Sequence, residues 1–454
     1  MKNEKKGVSR RRFLENTAVI GAAVGALGMS KLVSSCTSET KPVQELNLPP
    51  LLDQAPDGEL LKAGLIGCGG RGTGAAMDFL SAGPNLTITA IGDVFQDRID
   101  NSREELGKEK QLELTDDQCF VGFDAYQKVI DTDVDIIIMA TPPYFRPMHF
   151  KAAIEARKHV FMEKPVAVDP VGVRSVMSTA KQADTFELCV VTGTQRHHQR
   201  DYIEVYKNVM AGTMGDIVSA NAYWNGGKLW HRDNQPGWTE MEWMLRDWVN
   251  WIWLSGDHIV EQHIHNIDVI NWFTGKFPVK AVGFGSRQRR LTGDQFDNFS
   301  VDFVYDGEVH MHSMCRQIND CVNNVSELIR GTKGYTNAQN TIWNPDGTVQ
   351  FEYDYPLDES GEKMNNVKIS PYVQEHIDLV TAIRTGQHVN EAERTAKSNL
   401  TAIMGRESAY TGKEVTWDEM MQSDLELGPK TLAMGPVDME VVIPAPGSDP
   451  REKE

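Results

Sequence analysis

Between residues 61 and 194, short apolar runs alternate with amphipathic stretches. The runs predict strands at Leu61–Gly67, Leu86–Asp93, Cys119–Phe123, Val134–Thr141, His159–Glu163 and Leu188–Thr194. Helical spacing lies between them, as at Phe145–Arg157 and Pro170–Ala183. Strands alternating with helices predict an α/β domain with a parallel, doubly wound sheet. From about Ile217 the pattern changes. Ile217–Asn225, Val279–Arg287, Phe299–Tyr305, Val309–Cys315, Ser326–Gly331 and Val349–Tyr353 read as strands joined by turns, with Asp306-Gly307 at a hairpin. A second α/β domain with a mostly antiparallel open sheet is therefore expected. Helical patterns return at Tyr372–Thr385 and Glu391–Tyr410, and Leu425–Glu454, with five prolines, reads as an extended tail.

Chemistry enters at Gly67-Cys68-Gly69-Gly70-Arg71-Gly72, between the first strand and the first helix. This is the context a dinucleotide-binding G-x-G-x-x-G needs. Gly67 permits the tight turn, Gly69 and Gly70 let backbone approach a pyrophosphate, and Gly72 lets helix and strand pack closely. Arg71 shares the turn, whose free N–H groups face an anion at the positive end of the helix. Asp93, 21 residues past Gly72, ends the second strand. An acid there accepts from a ribose 2′-OH and repels a 2′-phosphate, which favours NAD over NADP.

The N-terminus gives this site a setting. Ser9-Arg10-Arg11-Arg12-Phe13-Leu14 is a twin-arginine pattern, followed by the small apolar stretch Thr17–Met29. Together they read as an export signal. Val33-Ser34-Ser35-Cys36 resembles a lipobox, with Cys36 as the lipidated residue of a periplasmic or membrane-anchored lipoprotein. The expected organisation is an export signal at 1–35, a linker at 36–58, a nucleotide domain at 59–195, a substrate and oligomerisation domain at 196–423, and a tail at 424–454.

Charge and cysteines narrow the partners. Residues 1–35 carry seven Lys/Arg and two Glu, so cleavage would shift the net charge from −18 to −23. Such a body excludes nucleic acid and anionic lipid as partners, leaving membrane contact to the lipid anchor. Cys68, Cys119, Cys189, Cys315 and Cys321 are odd in number and lack a C-x-x-C, a poor disulfide framework.

At Val160-Phe161-Met162-Glu163-Lys164-Pro165, with the glycine turn and Ala140-Thr141-Pro142-Pro143, the chain resembles the Gfo/Idh/MocA oxidoreductases. The resemblance continues through Gly193-Thr194-Gln195-Arg196, Gly212-Thr213-Met214-Gly215, Thr401–Arg406 and Tyr410-Thr411-Gly412-Lys413, and covers roughly Leu61 to Met421. It implies a Rossmann domain followed by an α/β domain whose open sheet carries substrate and subunit contacts, and hence a homo-oligomer. It also implies a nicotinamide cofactor held by the turn, Asp93, Thr141, Pro142, Glu163 and Lys164, no metal, and oxidation or reduction of a sugar or cyclitol hydroxyl.

Alcohol oxidation needs a base at the O–H, a hydride acceptor at the C–H and stabilisation of developing alkoxide charge. Lys164, just past the carboxyl end of a parallel strand, has the position for base or donor. On one continuous helix Glu261, His265 and Asp268 would share a face. The resemblance makes His265 the catalytic histidine and Asp268 the second acid of an Asp-x-x-x-His-x-x-Asp pattern. Glu261 replaces the first Asp, and His263 stands where Gly is common. His258, His263 and His265 also have a spacing that invites a metal, but no cysteine lies near and adjacent His-x-His positions face apart.

Eight of the ten tryptophans lie between Trp224 and Trp272. Such rings suit sugar C–H faces, although most tryptophans serve cores. Arg196, Trp230, His231 and His263 are the substrate candidates. An exported enzyme has no dependable pool of free NAD, so a tightly bound cofactor is expected. An unidentified electron acceptor, as in a glycoside 3-dehydrogenase, would then restore it. The alternatives are a redox-neutral NAD-dependent glycosidase using transient C3 oxidation, whose usual Tyr-Pro-Thr-His-Gly segment is absent, and a nucleotide-loaded sugar-binding lipoprotein without catalysis.

Overall fold

The structure, a computed structural model, describes residue 46 and residues 48–447. The twin-arginine segment, Cys36 and the last residues of the tail lie outside the described residues.

Six strands form the first sheet: β1 (Leu61–Ile66), β2 (Leu86–Asp93), β3 (Cys119–Val121), β4 (Ile136–Met139), β5 (His159–Met162) and β6 (Val190–Thr192). Their order is β3-β2-β1-β4-β5-β6, and every pairing is parallel. The order reverses between β1 and β4, which opens a crevice at the carboxyl ends of the strands where ligands bind in such sheets. β4 is buried along its whole length, which is why it reads as an unbroken apolar run. Helices α1 (Gly70–Leu80), α2 (Gln96–Lys110), α3 (Ala125–Ile130), α4 (Arg146–Glu155) and α5 (Pro170–Thr185) connect the strands.

The glycine turn is dictated by contact. Gly67 has φ +95°, and a Cβ there would lie 2.7 Å from the Ala140 carbonyl carbon. A Cβ on Gly72 would lie 1.8 Å from the Gly67 carbonyl oxygen, so α1 can start against β1 only without a side chain. At Gly69 and Gly70 a Cβ would meet nothing within 4 Å. Two glycines close the turn, and two leave open space above it.

After α6 (Arg200–Met210), nine strands form the second sheet. They are β7 (Ile217–Gly226), β8 (Lys280–Ser286), β9 (Asn298–Tyr305), β10 (Val309–Gln317), β11 (Asn324–Gly331), β12 (Tyr335–Thr336), β13 (Thr341–Trp343), β14 (Val349–Glu352) and β15 (Val415–Thr416). The order is β14-β13-β12-β11-β7-β10-β9-β8-β15, with only β7 and β10 parallel. At the β9–β10 hairpin Tyr305 pairs with Val309, leaving the three-residue loop Asp306–Glu308, in which Gly307 and Glu308 have φ +85° and +58°. β12, β13 and β15 are too short to show an alternation, and the pattern of the chain does not reveal them.

Between β7 and β8 run α7 (Glu240–Arg246), α8 (Ile252–Ser255), α9 (His258–Glu261) and α10 (Ile264–Thr274). α11 (Pro371–Thr385) and α12 (Ala392–Thr411) lie between β14 and β15, and α13 (Trp417–Gln422) follows β15. α11 packs on α1 and β6, and α12 on α5 and β8, so the C-terminal helices join both sheets. One core accordingly runs from Val160 and Met162 of β5 through Leu400 and Ile403 of α12 to Phe303 and Met311. The tail beyond α13 has no helix or strand through residue 447. It is a strap: Leu427, Leu432, Val437 and Met439 pack on a third core built from Phe145, Met241, Met244, Leu245, Trp251, Trp253 and Leu254. The five described cysteines are free thiols. Among the described residues no helix is long and apolar enough to cross a membrane.

Gly72→Ala should cost roughly 2–4 kcal/mol, because the new methyl meets backbone that cannot yield. Gly69→Ala should cost under about 1 kcal/mol. Urea unfolding of the two variants against wild type measures the difference.

Candidate active site

The open glycines face a cavity of about 370 Å³ at the carboxyl ends of β1, β2 and β4. Gly67, Gly69, Gly70, Arg71, Gly72, Asp93, Thr141 and Pro142 all line it. Gly69 caps α1 with no side-chain hydrogen bond, so the helix's first N–H groups are free for an anion. Asp93 accepts from the Cys68 N–H at 2.7 Å and the Phe95 N–H at 3.0 Å, one on each carboxylate oxygen. Each oxygen keeps a second lone pair for a ribose hydroxyl. Burial raises the Asp93 pKa, and those two N–H groups oppose the rise. Open turn, free helix terminus and acid together fit a dinucleotide.

Glu163 and Lys164 lie outside the lining of that cavity. Glu163 accepts from Arg71 Nε, and Arg71 also donates to Asp78 at 3.1 Å and covers the Tyr372 ring at 4.7 Å. Arg71 is thus tied to the protein on several sides. Lys164 Nζ donates to the Glu261 backbone carbonyl and, at 3.1 Å, to its Oε1. Lys164 and Glu261 side chains are only 13 % and 12 % exposed, which makes this a sheltered pair joining the end of β5 to α9.

That contact corrects the expectation of one continuous helix through Glu261, His265 and Asp268. The Glu261 carbonyl, which an uninterrupted helix would offer to the His265 N–H, goes to Lys164. The His265 N–H bonds instead to Gln262 at 3.3 Å. The helix therefore breaks into α9 and α10, and the three side chains do not form one stripe. His265 remains with Lys164. It stacks on Trp224 with ring centres 5.6 Å apart, and its pKa lies well below the ordinary value through burial, then the positive charges of Lys164 and Arg196. Asp268 turns to other partners: His197 Nε2 at 2.7 Å and the Ser398 hydroxyl at 2.6 Å. His263 is fully buried with Nε2 2.7 Å from the Ser313 hydroxyl, and His258 is buried 2.9 Å from Asp257. Arg196 pairs with Glu327 beside Tyr202. Trp230 lines the dinucleotide cavity, and His231 lies 3.1 Å from Lys228.

Several residues that hold the site carry no sequence signal of it. Buried Arg146 donates to the carbonyls of Thr141 (2.9 Å), Glu163 (2.9 Å) and Pro165 (2.6 Å), fixing the ends of β4 and β5 against each other. Asn399 of α12 accepts from the Val166 N–H at 2.8 Å and donates to the Ala167 carbonyl at 3.0 Å. Arg406 donates to the Val168 carbonyl at 2.7 Å and the Gly256 carbonyl at 3.1 Å.

Residues 61–198 match the model of the oxidoreductase family with an NAD-binding Rossmann fold, Gfo/Idh/MocA. Among curated relatives, myo-inositol 2-dehydrogenase of Thermotoga maritima is 25% identical over half of this chain and 58% of its own length. Alpha-N-acetylgalactosaminidase of Shewanella oneidensis is 25% identical over 47% of this chain and 45% of its own. The chain thus spans about half the length of these relatives. The fold is that of scyllo-inositol dehydrogenase from Lactobacillus casei, solved with NAD(H) and scyllo-inositol: TM-score 0.59, 20% identity, 79% of this chain and 99% of that one.

Acid should weaken the protein through its buried imidazoles. Burial, then Arg146, holds His149 at about 3, and burial holds His263 at about 3, against 6.5 for a free histidine. Between those values the unfolded chain binds more protons, so stability falls as pH drops below about 6.5. His198 acts oppositely: despite burial, Glu391 and Asp378 raise it to about 10, so its contribution is complete below 6.5 and fades as pH rises through 10. Removing one depressed group isolates the effect. Lowering pH from 7.5 to 5 should cost His149→Gln up to about 2 kcal/mol less than wild type by urea unfolding.

Proposed function

We propose that the chain is an NAD-dependent oxidoreductase acting on a hydroxyl of a sugar, glycoside or cyclitol, with its cofactor retained between turnovers. The observation that carries this is the meeting of Lys164, Glu261 and His265 beyond β5, beside a turn open to a dinucleotide. The names of the relatives, an inositol dehydrogenase and a glycosidase among them, support a polyol or sugar substrate.

In the proposed chemistry the bound nicotinamide supplies the hydride acceptor. The protein handles the proton. The Lys164 ammonium, oriented by the Glu261 carbonyl and carboxylate, donates to the substrate oxygen and stabilises alkoxide charge as it develops. His265, kept neutral by burial and then by the positive charges of Lys164 and Arg196, offers a lone pair to the departing proton. Trp224, stacked on His265, presents an apolar face of the kind that packs on sugar C–H groups. Asp268 is a positioning residue, acting through His197 and Ser398. Arg10-Arg11 and Cys36 support work outside the cytoplasm as a lipoprotein, where a resident cofactor needs an external electron acceptor or a redox-neutral cycle. Relatives named as glycosidases favour the redox-neutral cycle as the second reading.

Recombinant protein should carry NAD through dialysis, measured in an acid extract; cofactor-free protein without NAD affinity would overturn the assignment. Lys164→Met should keep the nucleotide and lose about 10²–10⁴ in kcat. A screen of sugars, cyclitols and aryl glycosides, followed simultaneously for NADH and released aglycone, separates dehydrogenase from glycosidase.

A further inference from the structure

Residues 227–254 leave the second sheet after β7 and cross to the nucleotide domain. Trp230, Arg232, Leu245 and Trp248 of this segment line the same cavity as Gly69, Gly70 and Asp93. The segment is fastened there. The Arg246 guanidinium donates to both Asp97 carboxylate oxygens at 3.0 and 3.1 Å and to Glu242 at 2.9 Å, and it lies 4.0 Å over the Phe95 ring. Asp97 and Phe95 stand at the start of α2, immediately after the strand that carries Asp93. Behind the latch, Phe95 and Phe123 of the nucleotide domain pack with Leu245 and Trp251, and the C-terminal strap closes the far side.

This arrangement gathers cations. Arg98, on the same turn of α2, lines the cavity, faces the Asp93 and Asp97 carboxylates only at longer range, and makes no ion pair among the described residues. Arg232 is held by its backbone: its N–H donates to Asp247 at 2.7 Å, and its carbonyl accepts from Trp243 Nε1 at 2.7 Å. Its guanidinium lies 5.2 Å from the Trp230 ring, with the Arg246 carbonyl at 3.4 Å as its polar neighbour and no carboxylate bonded to it. Burial and then the charges of Arg98 and Arg246 lower its pKa, as expected where positive charge is undercompensated. A dinucleotide brings the missing charge, because its pyrophosphate carries two negative charges into this cavity.

We propose that Arg98 and Arg232 bind the pyrophosphate of the cofactor from the side facing the glycine turn, and that segment 227–254, latched by Arg246 and Asp97, must open before the cofactor can leave. The proposal rests on the NAD assignment and adds its means of retention: the second domain supplies both a cation and a cover. The ligand is recognised through its pyrophosphate, while Asp93 keeps the preference for NAD over NADP.

The test is exchange of bound NAD against isotopically labelled NAD, read by mass spectrometry of quenched extracts, on protein whose fold is checked by circular dichroism. Arg232→Ala and Asp97→Asn should each exchange at least about tenfold faster than wild type, the size expected for losing one charge-assisted hydrogen bond. Asp97→Asn alters a half-exposed side chain and keeps the test available if Arg246→Ala fails to fold. The double exchange Asp97→Arg with Arg246→Asp should restore slow release. Unchanged exchange in Arg232→Ala and Asp97→Asn overturns the proposal while leaving the NAD assignment intact. Wild-type protein that binds no dinucleotide overturns both.

Discussion

The peptide that follows Lys164 has left its sheet but not the protein interior. Its N–H and C=O groups lose the partners a strand would give and find no water, so side chains must satisfy them. Asn399 takes Val166 and Ala167, Arg406 takes Val168, and Arg146 takes Pro165. Lys164 is aimed only as well as these four residues are held. That is why α12, remote in sequence, packs against α5: the helix that fills the space between the two sheets also carries the groups that finish β5.

The same contact reaches forward into the second domain. With its direction set, Lys164 takes the Glu261 carbonyl and opens the helix at Gln262. The break lets Asp268 join His197 and Ser398 while His265 stays with Lys164. Buried charge is distributed accordingly. Lys164, Arg196 and Arg71 surround a histidine that remains neutral, and Glu163, Glu261 and Glu327 each answer one cation. A neutral acceptor beside a fixed donor is the division of labour that proton transfer from an alcohol requires.

The parts legible in the sequence were those set by local rules. The strands β4, β5 and β6 showed as apolar runs because buried strands need them, and the distinct roles of Gly67 and Gly72 followed from the strand–turn–helix order. The position of Lys164, just past the carboxyl end of β5, was legible because the end of a strand is a place, not merely a residue. The broken helix was not, since the group that breaks it lies 97 residues away. The bonds of Arg146, Asn399 and Arg406 were silent for a similar reason: they go to backbone, which leaves no mark on the sequence of the partner. The tryptophan cluster showed its presence but not its purpose. Trp251 and Trp253 serve a core, whereas Trp230 and Trp248 face the nucleotide cavity rather than a demonstrated sugar site. The pattern of the chain also distinguished no latch at Arg246, an arginine like others on an amphipathic helix.

That clustering has an optical meaning. Indole emission in most proteins averages over scattered sites, but in this chain seven indoles lie between residues 230 and 272 and two of them form part of one cavity wall. Trp230 and Trp248 also face each other, with ring centres 6.2 Å apart. Reduced nicotinamide absorbs where tryptophan emits, so a reduced dinucleotide held against this wall would quench Trp230 and Trp248. The cavity wall would then act as a built-in probe, its emission reporting whether a dinucleotide bound there is oxidised or reduced.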